Sequence, residues 1–98
     1  MKVYRQGDLA FHEVSSLPPT ACPQAGIVLA YGEVTGHAHR LKGRGRVWRQ
    51  DTRLYLELER PSQVVHDEHE PLALPAGAYR VVRQREYVSP YEDREVFD

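Results

Sequence analysis

Four histidines carry the chemistry this chain offers. His37 and His39 stand one residue apart, just after the glycine-bracketed stretch Gly32-Glu33-Val34-Thr35-Gly36. His66 and His69 bracket Asp67-Glu68, and Glu70 follows. Neutral imidazole is a ligand for zinc, nickel, copper or iron, and three or four such donors complete a site. His37, His39, His66 and His69 are therefore the candidate ligands for a transition-metal ion, zinc among them. The neighbouring carboxylates fit as ligand, support or base; Glu68 and Glu70 are the candidate bases if a metal-bound water is to be activated.

The elements around these residues must bring the two clusters together. On a strand, alternate side chains share a face, so His37 and His39 aim into one volume while Ala38 packs behind. His66 and His69 would fall on opposite faces of a continuous strand. They converge only if the chain bends at Asp67-Glu68 or turns helically there.

The rest of the sequence reads as short strands. Leu9–Val14, Gly26–Tyr31, His37–Leu41, Arg46–Gln50, Arg53–Glu59, Gln63–His66 and Ala78–Val88 have strand length and apolar content, with turn residues between them. The clearest is Arg53–Glu59: Leu54, Leu56 and Leu58 face a core, and Tyr55, Glu57 and Glu59 face out. Ser15 to Gly26, with three prolines and Cys22, reads as a loop. About seven short strands predict an all-β fold, a small single-domain barrel or sandwich over residues 1–98, with 90–98 an acidic tail, either flexible or a short helical turn.

Composition narrows the partners. In 98 residues, 13 Lys+Arg against 14 Asp+Glu leave a net charge of -1, so no global field draws the chain to nucleic acid or membrane. Near-neutral small domains self-associate, which predicts a homo-oligomer. No apolar run is long enough to span a bilayer, and Met1 to Asp8 lacks the apolar stretch of a signal peptide. Cys22 is the single cysteine, excluding an intrachain disulfide and fitting a cytoplasmic setting. Prolines flank it and no base is near, so it reads as a passive thiol. His12 reads as a surface or half-buried histidine of the first strand.

One local patch offers a second chemistry. Arg44, Arg46, Arg49 and Arg53 surround Trp48, a composition able to hold phosphates and stack bases. The plainer reading is a solvated hairpin face whose arginines pair with Glu57 and Glu59 across strands. No Walker-type or dinucleotide-binding glycine loop and no G-x-S-x-G element is present.

Two resemblances follow from these motifs. His37-Ala38-His39 and Pro75-Ala76-Gly77 resemble the H-x-H pair and P-x-G turn of cupin barrels, but no glutamate follows His39 at the expected interval and no histidine follows Gly77. Across nearly the whole chain, Tyr4-Arg5-Gln6-Gly7-Asp8, Tyr31 to His39, His66 to Glu70 and Leu74 to Tyr87 resemble a family of small, functionally uncharacterised bacterial and phage-type proteins. That family pairs a G-E-V-T-G-H-x-H motif with an H-x-E-H motif.

The expectation is an all-β protein with a histidine-built metal site, first as a binding module and second as a metal-dependent hydrolase. The rival is a metal-free ribonuclease or RNA-binding protein, in which paired histidines exchange protons and arginines steady the phosphate. A structural oligomer with no site is the third reading.

Overall fold

Apolar alternation dictates most of the strands. Leu54, Leu56 and Leu58 all turn to one side of their strand, and Leu56 and Leu58 are buried. A computed structural model describes residues 1–26, 28–31 and 37–83. Gly32 to Gly36 and the tail read for 90–98 lie outside the described residues, as does the end of the last strand beyond Arg83.

Ten strands are described, in chain order β1 (Val3–Gln6), β2 (Leu9–Val14), β3 (Cys22–Gln24), β4 (Val28–Tyr31), β5 (Ala38–Lys42), β6 (Gly45–Gln50), β7 (Arg53–Leu58), β8 (Ser62–His66), β9 (His69–Leu74) and β10 (Gly77–Arg83). They form two antiparallel sheets: a six-stranded one in the order β1-β2-β10-β7-β6-β3, and a four-stranded one in the order β4-β5-β8-β9. The fold is all-β and sandwich-like, and the sheets do not close into a barrel. No helix among the described residues is long and apolar enough to cross a membrane.

The count exceeds the seven strands expected because β1, β3 and β9 have weak local patterns. β3 contains Pro23 and β9 contains Pro71, and both strands lie at sheet edges, where a missing N–H costs no ladder bond. β1 is short and half polar, and it becomes a strand by pairing along β2 after a tight turn at Gly7, whose φ of 60° is left-handed.

The core lies between the sheets. Leu9, Phe11, Val47, Leu56, Leu58 and Tyr79 from the larger sheet meet Leu29, Leu41, Val64 and Leu74 from the smaller one. Tyr79 also donates its hydroxyl to the carbonyl of Pro75 at 2.6 Å, which satisfies a polar group at the edge of that core.

Candidate metal centre

The inner face of the four-stranded sheet changes character along its length. Leu41 of β5 pairs with Val64 of β8, and Val64 pairs with Leu72 of β9, a continuous apolar row. Two residues along β5 and β8, the positions on the same face are His39 and His66. His39 lies one step beyond the Arg40–Val65 pair, and His66 is paired directly with His69. The apolar row thus gives way at the rim of the sandwich to a row of three imidazoles.

Two local devices bring His69 into that row. Asp67-Glu68 forms a tight turn, so His66 and His69 become cross-strand partners instead of residues on opposite faces. The register then shifts between Val64 and His66: Glu70 and Pro71 of β9 oppose Val65 alone, a β-bulge. Strict alternation would put His69 and Leu72 on opposite faces; the extra residue puts both inward. Pro71, which has no N–H to pair, suits the bulge.

Rings in a straight row would follow the strand spacing, with the outer two roughly 9–10 Å apart. The His39–His66 and His66–His69 centroids are 4.4 and 4.6 Å apart, but His39 and His69 are only 6.0 Å apart. The row is folded into a triangle. Its sides are near the roughly 5 Å that imidazoles around one tetrahedral ion would give.

The hairpin turn of β1 and β2 closes this rim. A methyl group added at Gly7 would lie 2.6 Å from His69 Nε2, so only glycine lets the turn sit this close. Gln6, buried at 4% exposure, donates its side-chain amide to the carbonyls of Val64 at 2.9 Å and Glu70 at 2.8 Å. Both amide hydrogens are then committed, so Gln6 Oε1 must be the atom facing His39 Nδ1, 2.8 Å away. Nδ1–H of His39 donates to it. That fixes the tautomer and leaves the Nε2 lone pair pointing outward.

What faces that lone pair is Asp8. Its Oδ1 lies 3.4 Å from His39 Nε2, while Oδ2 accepts a hydrogen bond from Arg83 Nε at 2.9 Å. Burial alone would raise the Asp8 pKa, but the hydrogen bond and charge of Arg83, with His39 adding, hold it below the ordinary value. His39, 4% exposed, is lowered from its ordinary value by burial first and by His66 next; the Asp8 charge does not reverse this. An ionised carboxylate and a neutral imidazole therefore present two acceptors to each other.

His37 is placed differently. Its ring is 5.8 Å from that of His66, with Nδ1 3.5 Å from Glu68 and Nε2 3.6 Å from Asp67, and Asp67 also lies 3.9 Å from Arg40. It steadies the acidic turn. Glu68 gives its backbone N–H to His66 Nδ1 at 3.0 Å, so neutral His66 carries its proton on Nε2. Glu70 lines a cleft of about 260 Å³ with Arg5, Gly7, His69 and Leu72. Among the described residues, no three or more His, Cys, Asp or Glu side chains are grouped so as to hold a metal ion as placed. Asp8 and Gln6 escaped sequence reading as site residues. Their one sequence cue is the Gln6-Gly7-Asp8 turn, since contact with His39 across more than thirty residues has no local mark.

The residues read as a nucleic-acid patch separate. Arg46, Trp48 and Arg53 share the outer face of the six-stranded sheet. Arg49 projects the other way and bonds to Gln24 and to the carbonyl of Asp51, and Arg44 sits in the turn between β5 and β6. Cys22 is an exposed free thiol at the start of β3, and His12 is half-buried on the outer face.

A family model described as a domain of unknown function (DUF8820) matches residues 5–84. The chain belongs to this family. The matched span contains Gln6, Asp8, Arg83 and all four clustered histidines. No curated protein and no solved structure matches the chain.

Proposed function

We propose that the protein binds one transition-metal ion at the rim of the sandwich, with His39 Nε2, Asp8 Oδ1 and His69 as ligands and His66 as the fourth, and that it works as a binding module. The observation that carries this is the pair of opposed acceptors 3.4 Å apart. A cation between them, a metal ion or a proton, makes such a contact favourable. A proton is disfavoured on His39, and about 3.4 Å is the edge of a tetrahedron with metal–donor bonds near 2.0–2.1 Å. The protonation states match as well, because a ligand carboxylate must be ionised and a ligand imidazole neutral. His66 joins through Nδ1, or through Nε2 after its proton moves to Nδ1; either route breaks the Glu68 N–H bond, so it is the weakest of the four. Gln6 orients His39 as a second partner orients a metal-bound histidine generally.

A hydrolase is the second reading. The cleft beside His69 has room for a small molecule, and Glu70 in its wall would serve as base for a metal-held water.

The test is metal analysis of untagged protein after EDTA treatment and titration with Zn²⁺. About one ion per chain and a raised melting temperature are expected, with His39→Ala and Asp8→Ala each binding far more weakly. Full occupancy in the His39→Ala/Asp8→Ala double variant would sink the assignment.

A further inference from the structure

The six-stranded sheet covers the core with one face and leaves the other outside. Register fixes what that outer face carries. Trp48 of β6 pairs with Tyr55 of β7, and Tyr55 pairs with Arg80 of β10. These three therefore lie side by side, roughly 4.8 Å from strand to strand. On the same face, Arg53 lies two residues from Tyr55 along β7, and Arg46 lies two residues from Trp48 along β6 in the opposite direction. The arginines thus enclose the aromatic pair on three sides, and Arg46 and Arg53 are about 14 Å apart along the strand direction.

Burial agrees with this arrangement. Tyr55 was expected to face solvent; it does point outward, yet is only 5% exposed because it lies between the side chains of its two cross-strand partners. Trp48 remains half-buried, and Arg46, Arg53 and Arg80 are exposed. The one carboxylate on this face of β2, β6, β7 and β10 is Glu57, which accepts the indole N–H of Trp48 at 3.1 Å and so holds the ring in place. A chain with a net charge of -1 therefore sets three arginines against one acid here.

We propose that this face binds single-stranded RNA, with Trp48 stacking a base and Arg46, Arg53 and Arg80 holding phosphates along the strand. A sheet face with an exposed aromatic platform takes unstacked bases, which a duplex does not offer. Charge complementarity sets the partner as a polyanion. Glu57 selects among polyanions: a carboxylate beside the stacked base repels phosphate and accepts a hydroxyl proton, and the 2′-OH of RNA supplies that donor where DNA has only C–H. The surface is distinct from the imidazole rim and needs no metal.

Intrinsic fluorescence tests this directly, because Trp48 is the single tryptophan. Titration of the full chain with an RNA about 12 nucleotides long should quench Trp48 emission, equally with and without EDTA. Trp48→Ala should weaken binding, read by anisotropy of labelled RNA, about tenfold or more, while Trp48→Phe keeps most of the affinity. Arg53→Ala and Arg80→Ala, both at exposed positions, should each lower the slope of log affinity against log salt by roughly 0.7. DNA of the same sequence should bind more weakly, and Glu57→Gln should narrow that gap. Binding that is absent at about 50 mM salt, that prefers duplex, that poly-glutamate matches, or that survives Trp48→Ala, Arg53→Ala and Arg80→Ala unchanged would overturn the proposal.

Discussion

Gln6 and Gly7 shape the site without any charge of their own. Replacing Gln6 with Leu removes the donor to two carbonyls and the acceptor that fixes the His39 tautomer. A cost of about 2 kcal/mol or more is expected, since buried acceptors are left without partners. Thermal unfolding should show it as a fall of roughly 10 °C; a Gln6→Leu protein as stable as the parent would refute the role. Gly7→Ala meets a movable ring, not backbone, so the fold should survive with a modest loss from the left-handed φ while Zn²⁺ binding drops as His69 is pushed aside. Acid sensitivity also begins at single residues. His39 has its folded pKa below the ordinary 6.5, so the unfolded chain takes up that proton first. Its contribution is complete above about 6.5 and is lost as pH falls through the lower folded value. Asp8, also depressed, follows the same sign at more acid pH. EDTA-treated protein should therefore melt at lower temperature as pH drops below neutrality, and His39→Gln should flatten the upper part of that profile. An unchanged profile in His39→Gln would show that another group sets it.

At the level of elements, the β8–β9 hairpin is the part that converts sequence spacing into a site. Its two-residue turn pairs His69 with His66, and its bulge lets Leu72, three residues on, share the inner face opposite Val64. Inserting an alanine after Val65, opposite Glu70 and Pro71, should remove the bulge and return strict alternation, turning His66 and His69 outward. Circular dichroism should still report a β protein, while Zn²⁺ affinity falls to the level of His69→Ala. Retention of full affinity in the insertion variant would mean that the register does not place the ligand. The β1–β2 hairpin is the matching element of the other sheet: it carries Gln6, Gly7 and Asp8 across the open rim.

For the whole molecule, the edges decide how copies can meet. β9 and β3 carry Pro71 and Pro23, which blunt them against pairing. Edges β1 and β4 have no proline, and on β1 Val3, 45% exposed, is one of two exposed large hydrophobics among the described residues. The association expected from near-zero net charge should run through this edge, β1 against its copy about a two-fold axis. Light scattering should return twice the 11.3 kDa chain mass, and Val3→Lys should return the single-chain value. A single-chain mass for the parent protein across a hundredfold range of concentration would rule the dimer out.

What the sequence determined by itself were the features with a short period. The alternation of Leu54, Leu56 and Leu58 specified a one-sided strand, and His37-Ala38-His39 specified two imidazoles on one face, because side-chain direction repeats every two residues. The all-β class followed from such runs and the turns between them. Tertiary structure alone decided which histidines belong together. His37 and His39 share a face, yet His37 sits against Asp67 and Glu68 while His39 lies deep against Gln6 and Asp8. It also made strands of β1, β3 and β9, whose prolines and polar residues argue locally against strand, because an edge position or a bulge removes the cost of a missing N–H. The contact between His39 and Asp8 depends on two sheets closing over one core, and burial of that core is a property of the folded chain, absent from any short window of it.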